Sequence, residues 1–107
     1  MRKRIAVAIV PAITAAVLAA PATAATKTIK IGDNFFAPET VKVKKGTTVT
    51  WDWVGQVIHN VTVTAGPQKF HSATQTEGTF KRRLTKAGTY KIVCTIHPGM
   101  DMTLKVR

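Results

Sequence analysis

The chain has 107 residues, enough for one small domain, and it carries 16 basic against five acidic side chains, a formal net charge of +11. A single cysteine excludes a disulfide within the chain, and no internal repeat or low-complexity linker indicates a second domain.

The first 24 residues have the pattern of a secretory signal peptide. A basic start precedes an apolar run over 5–20, and small residues typical of a cleavage site follow it. Because the run is short for a membrane span, we predict cleavage after Ala24 or Ala25. The released domain, 25–107, would have no integral membrane segment and would be periplasmic or extracellular.

The predicted exported domain keeps 13 of the basic residues and all five acids, a net charge of +8. Such a charge favours an acidic partner, an anionic surface or a wall polymer. A nucleic-acid partner is not predicted, because the chain carries an export pattern. The basic run Lys81–Arg83 equally fits a solvated face that protects an edge strand.

Alternating apolar residues indicate short β-strands along this domain. Seven segments show the pattern, at 28–31, 41–43, 49–53, 59–63, 80–84, 90–94 and 104–106. Arg82 is an exception, because it falls on the apolar face of its segment. The stretch 66–76 is predicted to be an irregular surface connection, with His71 as a solvated loop side chain. The pattern predicts an all-β, antiparallel sandwich.

Four side chains have the chemistry of a copper site. Cys94, His97 and Met100 precede the last predicted strand, and His59 shares an inward face with Val61. One thiolate, two imidazoles and a thioether suit a redox-active copper better than any other common metal. The alternative for Cys94 is a buried, inert side chain, but a free thiol in an oxidising compartment is easily oxidised.

A neighbouring amide is predicted to support these ligands. Asn60 follows His59 directly, and its side chain is placed to connect the His59 segment with the loop around Thr95. Residues that hold metal ligands in this way fix the orientation of the ligands.

The segment from Gly88 to Met100, GTYKIVCTIHPGM, together with VIHNV upstream, resembles the cupredoxins, nearest to plastocyanin, amicyanin and pseudoazurin. The resemblance covers about 28–106. It implies a Greek-key β-sandwich with one type 1 copper ion, acting as a diffusible one-electron carrier. It also implies that His59 and His97 are imidazole ligands, that Cys94 is the thiolate, and that the edge of His97 is the electron port.

The resemblance leaves two candidates for the weak axial ligand. Met100 suits the short loop of the amicyanin type and is favoured. Met102 remains the alternative, because a pseudoazurin-like loop also has two methionines separated by one residue and uses the second. The methionine that does not bind would be a packing residue.

Two functions are compatible with this ligand set. In the first, a monomer shuttles electrons between redox partners, and its charge steers it to an acidic docking patch. In the second, the same ligands serve copper delivery or buffering. An enzymatic role is not predicted, because a site whose ligands all come from the protein has no open position for a substrate.

Overall fold

The computed structural model describes residues 25–107, so the predicted signal peptide lies outside the described residues. This part of the chain forms eight β-strands and no helix. The strands are β1 (Thr26–Gly32), β2 (Phe35–Ala37), β3 (Thr40–Val43), β4 (Thr48–Trp53), β5 (Thr62–Ala65), β6 (Thr79–Arg83), β7 (Gly88–Val93) and β8 (Asp101–Val106). Within the described range there is accordingly no helix that could span a membrane.

The strands form two four-stranded sheets, in the orders β2-β1-β4-β6 and β3-β8-β7-β5. The predicted all-β, Greek-key sandwich is therefore confirmed. The expectation of purely antiparallel sheets is wrong, because β1 pairs with β4, and β3 with β8, in parallel. Parallel neighbours need a crossover, and here the chain visits β3 in the second sheet before it returns to β4 beside β1.

The predicted segments match the strands, with two differences. Phe35–Ala37 was not predicted, because a strand of three residues is too short to show an alternating pattern. The segment around His59 starts its strand only at Thr62, since His59 itself forms a single bridge with Gln75. His59 and Val61 are nevertheless both fully buried, so the predicted inward face is confirmed.

The core lies between the sheets and is centred on Trp51, whose ring is tilted against Phe70 and Phe80 at centroid distances of 5.9 Å. Phe70 is buried, as expected of an aromatic core or rim residue, so the irregular connection 66–76 also contributes to the core. Arg82 belongs to the edge strand β6 and places its guanidinium over both phenylalanine rings. A cation on the apolar face therefore covers the edge of the core.

Different strands begin and finish at the two ends of the sandwich, the upper end and the lower end. At the upper end β1, β4 and β7 finish, and β6 and β8 begin. At the lower end β6 and β8 finish, and β4 and β7 begin. His59, Cys94 and His97 all lie in upper-end loops.

Candidate metal centre

Three of the predicted ligands meet at the upper end. Nδ1 of His59 is 3.1 Å from Nδ1 of His97, and Sγ of Cys94 is 3.5 Å from His97 Nδ1 and 4.0 Å from His59 Nδ1. Metal–ligand bonds of about 2.0–2.3 Å separate the donors around one ion by roughly 3–4 Å. The three side chains are therefore arranged to hold a single metal ion.

The orientation of His59 makes one ring nitrogen available to a metal. Its other nitrogen, Nε2, lies 3.0 Å from a carboxylate oxygen of Asp33. An ionised carboxylate only accepts hydrogen bonds, so Nε2 carries the proton and Nδ1 keeps its lone pair in the neutral ring. His59 is fully buried, and its backbone is held by Gln75 on both sides and by the Trp53 indole.

Asp33 is in turn fixed by the loop that leads to His59. Its carboxylate accepts the backbone N–H of Gln56 at 2.8 Å and that of Val57 at 3.1 Å. The pKa of Asp33 is lowered, first by the hydrogen bond from His59 and then by these backbone donors. A Cβ at Gly55 would overlap this carboxylate, so the glycine leaves the space that Asp33 occupies.

The thiol of Cys94 is buried and receives a backbone hydrogen bond. Cys94 is 3 % exposed, and the N–H of Asn60 donates to its sulfur at 3.4 Å. The Asn60 amide donates to the Thr95 hydroxyl at 2.8 Å and accepts the Thr95 N–H at 3.1 Å. The predicted link between the His59 segment and the Thr95 loop is therefore present, and it holds two ligand segments together.

The loop from Cys94 to Met100 closes on itself through the backbone. Cys94 N–H donates to the Met100 carbonyl at 3.0 Å, and Met100 N–H donates to the His97 carbonyl at 3.1 Å. Gly99 has a φ of 84°, a left-handed conformation that the turn requires and that glycine adopts without strain. His97 is partly exposed, so the loop places this residue at the surface of the domain.

The two methionines occupy different surroundings, although both are 2 % exposed. Met102 lies in β8 opposite Ile92, and its sulfur accepts the indole N–H of Trp51 at 3.5 Å. Met100 lies in the ligand loop itself, directly before β8. His71 is exposed and lies outside the cluster, as predicted.

Comparison with protein families supports copper as the metal. A model of copper-binding proteins of the plastocyanin/azurin family matches residues 23–107. The chain belongs to this family. The proteins of this family are cupredoxins. Their metal agrees with the donors found here, because one thiolate and two imidazoles suit copper. A comparison with curated protein sequences finds no match.

Solved structures agree with this cupredoxin assignment. The purple cupredoxin from Nitrosopumilus maritimus is 27 % identical with a TM-score of 0.68, and the match covers 75 % of this chain and 98 % of that one. An oxidised amicyanin mutant is 28 % identical with a TM-score of 0.64, covering 75 % and 80 % of the two chains.

A larger copper enzyme shares the fold only. The nitrite reductase (NirK) from Thermus scotoductus SA-01 is 23 % identical with a TM-score of 0.67, and the match covers 89 % of this chain but 25 % of that one. This likeness shows that the two proteins share a β-sandwich fold, and no reaction of the nitrite reductase is inferred for this chain.

Asp33 is the site residue that sequence reasoning missed. It lies 26 positions before His59, and only the parallel pairing of β1 with β4 brings the loop after β1 beside the loop after β4. The signals in the sequence were an acid directly after a strand and a glycine at position 55, neither of which is specific.

Proposed function

We propose that this cupredoxin is a type 1 copper protein that carries single electrons between redox partners outside the cytoplasm. The observation that carries the proposal is the convergence of Cys94, His59 and His97 within 3.1–4.0 Å, with the thiol buried. Bound copper would supply a one-electron couple that a thiolate and two imidazoles accommodate in both oxidation states.

Met100 is the proposed axial ligand. The backbone of Met100 is tied by hydrogen bonds to both Cys94 and His97, so Met100 belongs to the same short loop as two of the other donors. Met102 already has a partner in the indole of Trp51 and lies within the regular pairing of β7 and β8. This difference supports Met100 as the donor and Met102 as a packing residue.

The loops restrain the ligands, which favours electron transfer with little rearrangement. His59 is held by Asp33, and Cys94 by the Asn60 N–H, while the Asn60–Thr95 pair fixes the distance between their segments. His97 is the one ligand of the three that is partly exposed, whereas His59 and Cys94 are buried. We therefore propose His97 as the port through which electrons enter and leave.

The surroundings of the port suit a protein partner. The exposed large apolar side chains of the described residues all lie at the upper end, at the start of β2 or in the loops. They are Phe35, Val54, Val57, Ile58 and Ile96. Apolar contact with little charge is typical of the centre of a protein interface. A metal whose ligands all come from the protein has no open position for a substrate, which supports a carrier rather than an enzyme. The acidic character of the partner stays a prediction.

Titration of the exported protein with copper, followed by visible absorption and electron paramagnetic resonance, tests the proposal. A type 1 site gives an intense blue band with a narrow copper hyperfine splitting, and a mild reductant bleaches it. The Cys94→Ser variant must lose the band, whereas His71→Ala, which changes an exposed histidine outside the site, must keep it. A weak band with a wide splitting would contradict the carrier and favour copper delivery or buffering.

The axial assignment has its own test. Met100→Gln is expected to shift both the spectrum and the reduction potential, whereas Met102→Gln leaves the spectrum nearly unchanged. The reverse result would move the axial ligand to Met102.

A further inference from the structure

Acidic and basic side chains are separated along the long axis of the strands. All five acids lie in the upper half, in loops at the upper end or beside the strand residues nearest to it. They are Asp33, Glu39, Asp52, Glu77 and Asp101. The acidic side chains are therefore concentrated in the half of the domain that contains the metal site.

Five cations crowd the lower end, where no acidic side chain of the described residues lies. This lower-end cluster consists of Lys44, Lys45, Arg83, Lys86 and Arg107, all exposed. Backbone hydrogen bonds hold its segments together, since Lys45 N–H donates to the Arg107 carbonyl at 2.8 Å. The Arg83 guanidinium also donates to the Gly46 carbonyl at 3.3 Å. Within 25–107, no lysine or arginine forms an ion pair with an acid.

The lower end also lacks the features of a protein-binding surface. None of the exposed large apolar side chains of the described residues lies there. Protein interfaces are depleted in lysine and rely on apolar and aromatic anchors, which this cluster does not offer. Lysine-rich surfaces without such anchors bind anionic lipid through electrostatics, at a distance and without specific contacts.

We propose that the lower-end cluster binds the anionic surface of a lipid bilayer and turns the upper end, with its metal site, away from the membrane. Binding of this kind is reversible and allows the protein to diffuse along the surface. The apolar port then faces partners that project from the same membrane. The orientation rests on the proposed carrier function, but the binding depends on the surface lysines and arginines of the cluster and does not require copper.

Vesicle co-sedimentation tests the proposal with two triple variants of equal charge. The lower-end variant carries Lys44→Gln, Lys45→Gln and Lys86→Gln. The control carries Lys30→Gln, Lys81→Gln and Lys91→Gln, whose exposed lysines lie higher on the sheets. Vesicles of phosphatidylcholine with and without phosphatidylglycerol are compared at low and high salt, with the exported protein in its copper-free and copper-loaded forms.

The wild type is expected to bind only the vesicles that contain phosphatidylglycerol, and high salt should release it. The lower-end variant should bind about a hundredfold more weakly, and the control only a few-fold. Copper-free protein should bind as tightly as copper-loaded protein, so failure of the copper proposal would not affect this result.

Three outcomes would overturn the proposal. Equal losses of vesicle binding in the two variants would mean that the net charge of the protein causes binding and that the lower end is not preferred. Binding to phosphatidylcholine alone would mean that anionic lipid is not the ligand. Retention on a polyglutamate column without binding to any vesicle, lost in the lower-end variant, would assign the cluster to an acidic protein instead.

Discussion

Side-chain hydrogen bonds connect the ligand loops with one another at the upper end, whereas backbone hydrogen bonds connect the turn after β3 with the turn after β6 at the lower end. At the upper end, Asp33 binds the loop before His59, and Asn60 binds the Thr95 loop. At the lower end, Gly46 N–H donates to the Leu84 carbonyl at 2.6 Å and Leu84 N–H to the Thr47 carbonyl at 2.9 Å.

This difference separates the metal site from the stability of the fold. Backbone hydrogen bonds survive most substitutions, so the lower end tolerates changes of side chain. Side-chain hydrogen bonds place the ligands in positions that regular strands do not provide, and each of them can be removed singly. Substitutions at the upper end should therefore affect copper binding directly, and substitutions at the lower end should leave copper binding unchanged.

The largest effect is expected from a direct ligand. His97→Ala removes the donor at the surface of the site and should weaken copper binding by more than about a hundredfold, beyond the loss typical of supporting residues. The thermal midpoint of the copper-free protein should change little, because His97 is partly exposed. Competition with a copper chelator measures the affinity. A blue, tightly binding His97→Ala protein would contradict the ligand assignment.

The next largest effect on copper affinity is expected from Asp33, which holds the ligand His59. Asp33→Ala removes the acceptor of His59 Nε2 and should lower copper affinity by about 10- to 100-fold. Asp33→Asn can still accept the ring hydrogen bond but lacks the charge, so its loss of affinity should be smaller. Its reduction potential should rise, because a negative charge near the site favours the oxidised metal. Equal behaviour of Asp33→Ala and wild type would show that the contact does not support the site.

Gly55→Ala tests the same contact without altering the carboxylate. The added Cβ would overlap Asp33 and displace it from His59. We expect a loss of copper affinity of about tenfold, in the lower part of the range for supporting residues. Combining Gly55→Ala with Asp33→Ala should cost little more than Asp33→Ala alone, since both act through one interaction. Additive losses would place the effect of Gly55 elsewhere.

The contrast between the two ends also explains how much the sequence predicted. Cys94 and His97 were recognisable because their donor types are rare together and lie three positions apart in the chain. The inward faces of β1 and β4 followed from alternating residues such as Ile29 and Ile31. Alternation has the same period in parallel and antiparallel strands, so it did not show that β1 and β4 run in parallel.

The missed features depend on contacts between distant segments. Asp33 reaches His59 only through that parallel pairing. Phe70 was expected in the core or at its rim because it is aromatic, but its segment has no periodicity, so its contact with Trp51 was not predictable. The Asn60–Thr95 link was predictable because both residues adjoin a ligand, and ligand segments must converge.

Removal of the buried Asn60 amide should have a smaller effect, and it should change both the stability of the fold and the copper spectrum. Asn60→Ala removes the bonds to Thr95 and a 3.1 Å bond to the Thr74 hydroxyl, and it leaves the Thr95 N–H without its acceptor. Unfolding free energy should fall by about 1–3 kcal/mol, and the blue band should shift as the ligand loops loosen. Denaturant unfolding of the copper-free protein measures the first change. Loss of stability with an unchanged spectrum would show that the link does not constrain the site.

The smallest effect should come from a side-chain hydrogen bond near the lower end. The hydroxyl of buried Tyr90 donates to the Lys86 carbonyl at 2.7 Å, and burial raises the pKa of this phenol above its ordinary value of 10.0. Tyr90→Phe should lower the unfolding free energy by about 1 kcal/mol and leave copper affinity and potential unchanged.

The contribution of Tyr90 also has a defined pH dependence. It is complete below pH 10.0, the ordinary pKa of the unfolded phenol, and is lost as the pH rises through the raised pKa of the folded state. The stability difference between wild type and Tyr90→Phe should therefore be constant at neutral pH and shrink in strong alkali. A change in the copper spectrum of Tyr90→Phe would contradict the separation of the two ends, because the effect of a substitution near the lower end would then reach the metal site at the upper end.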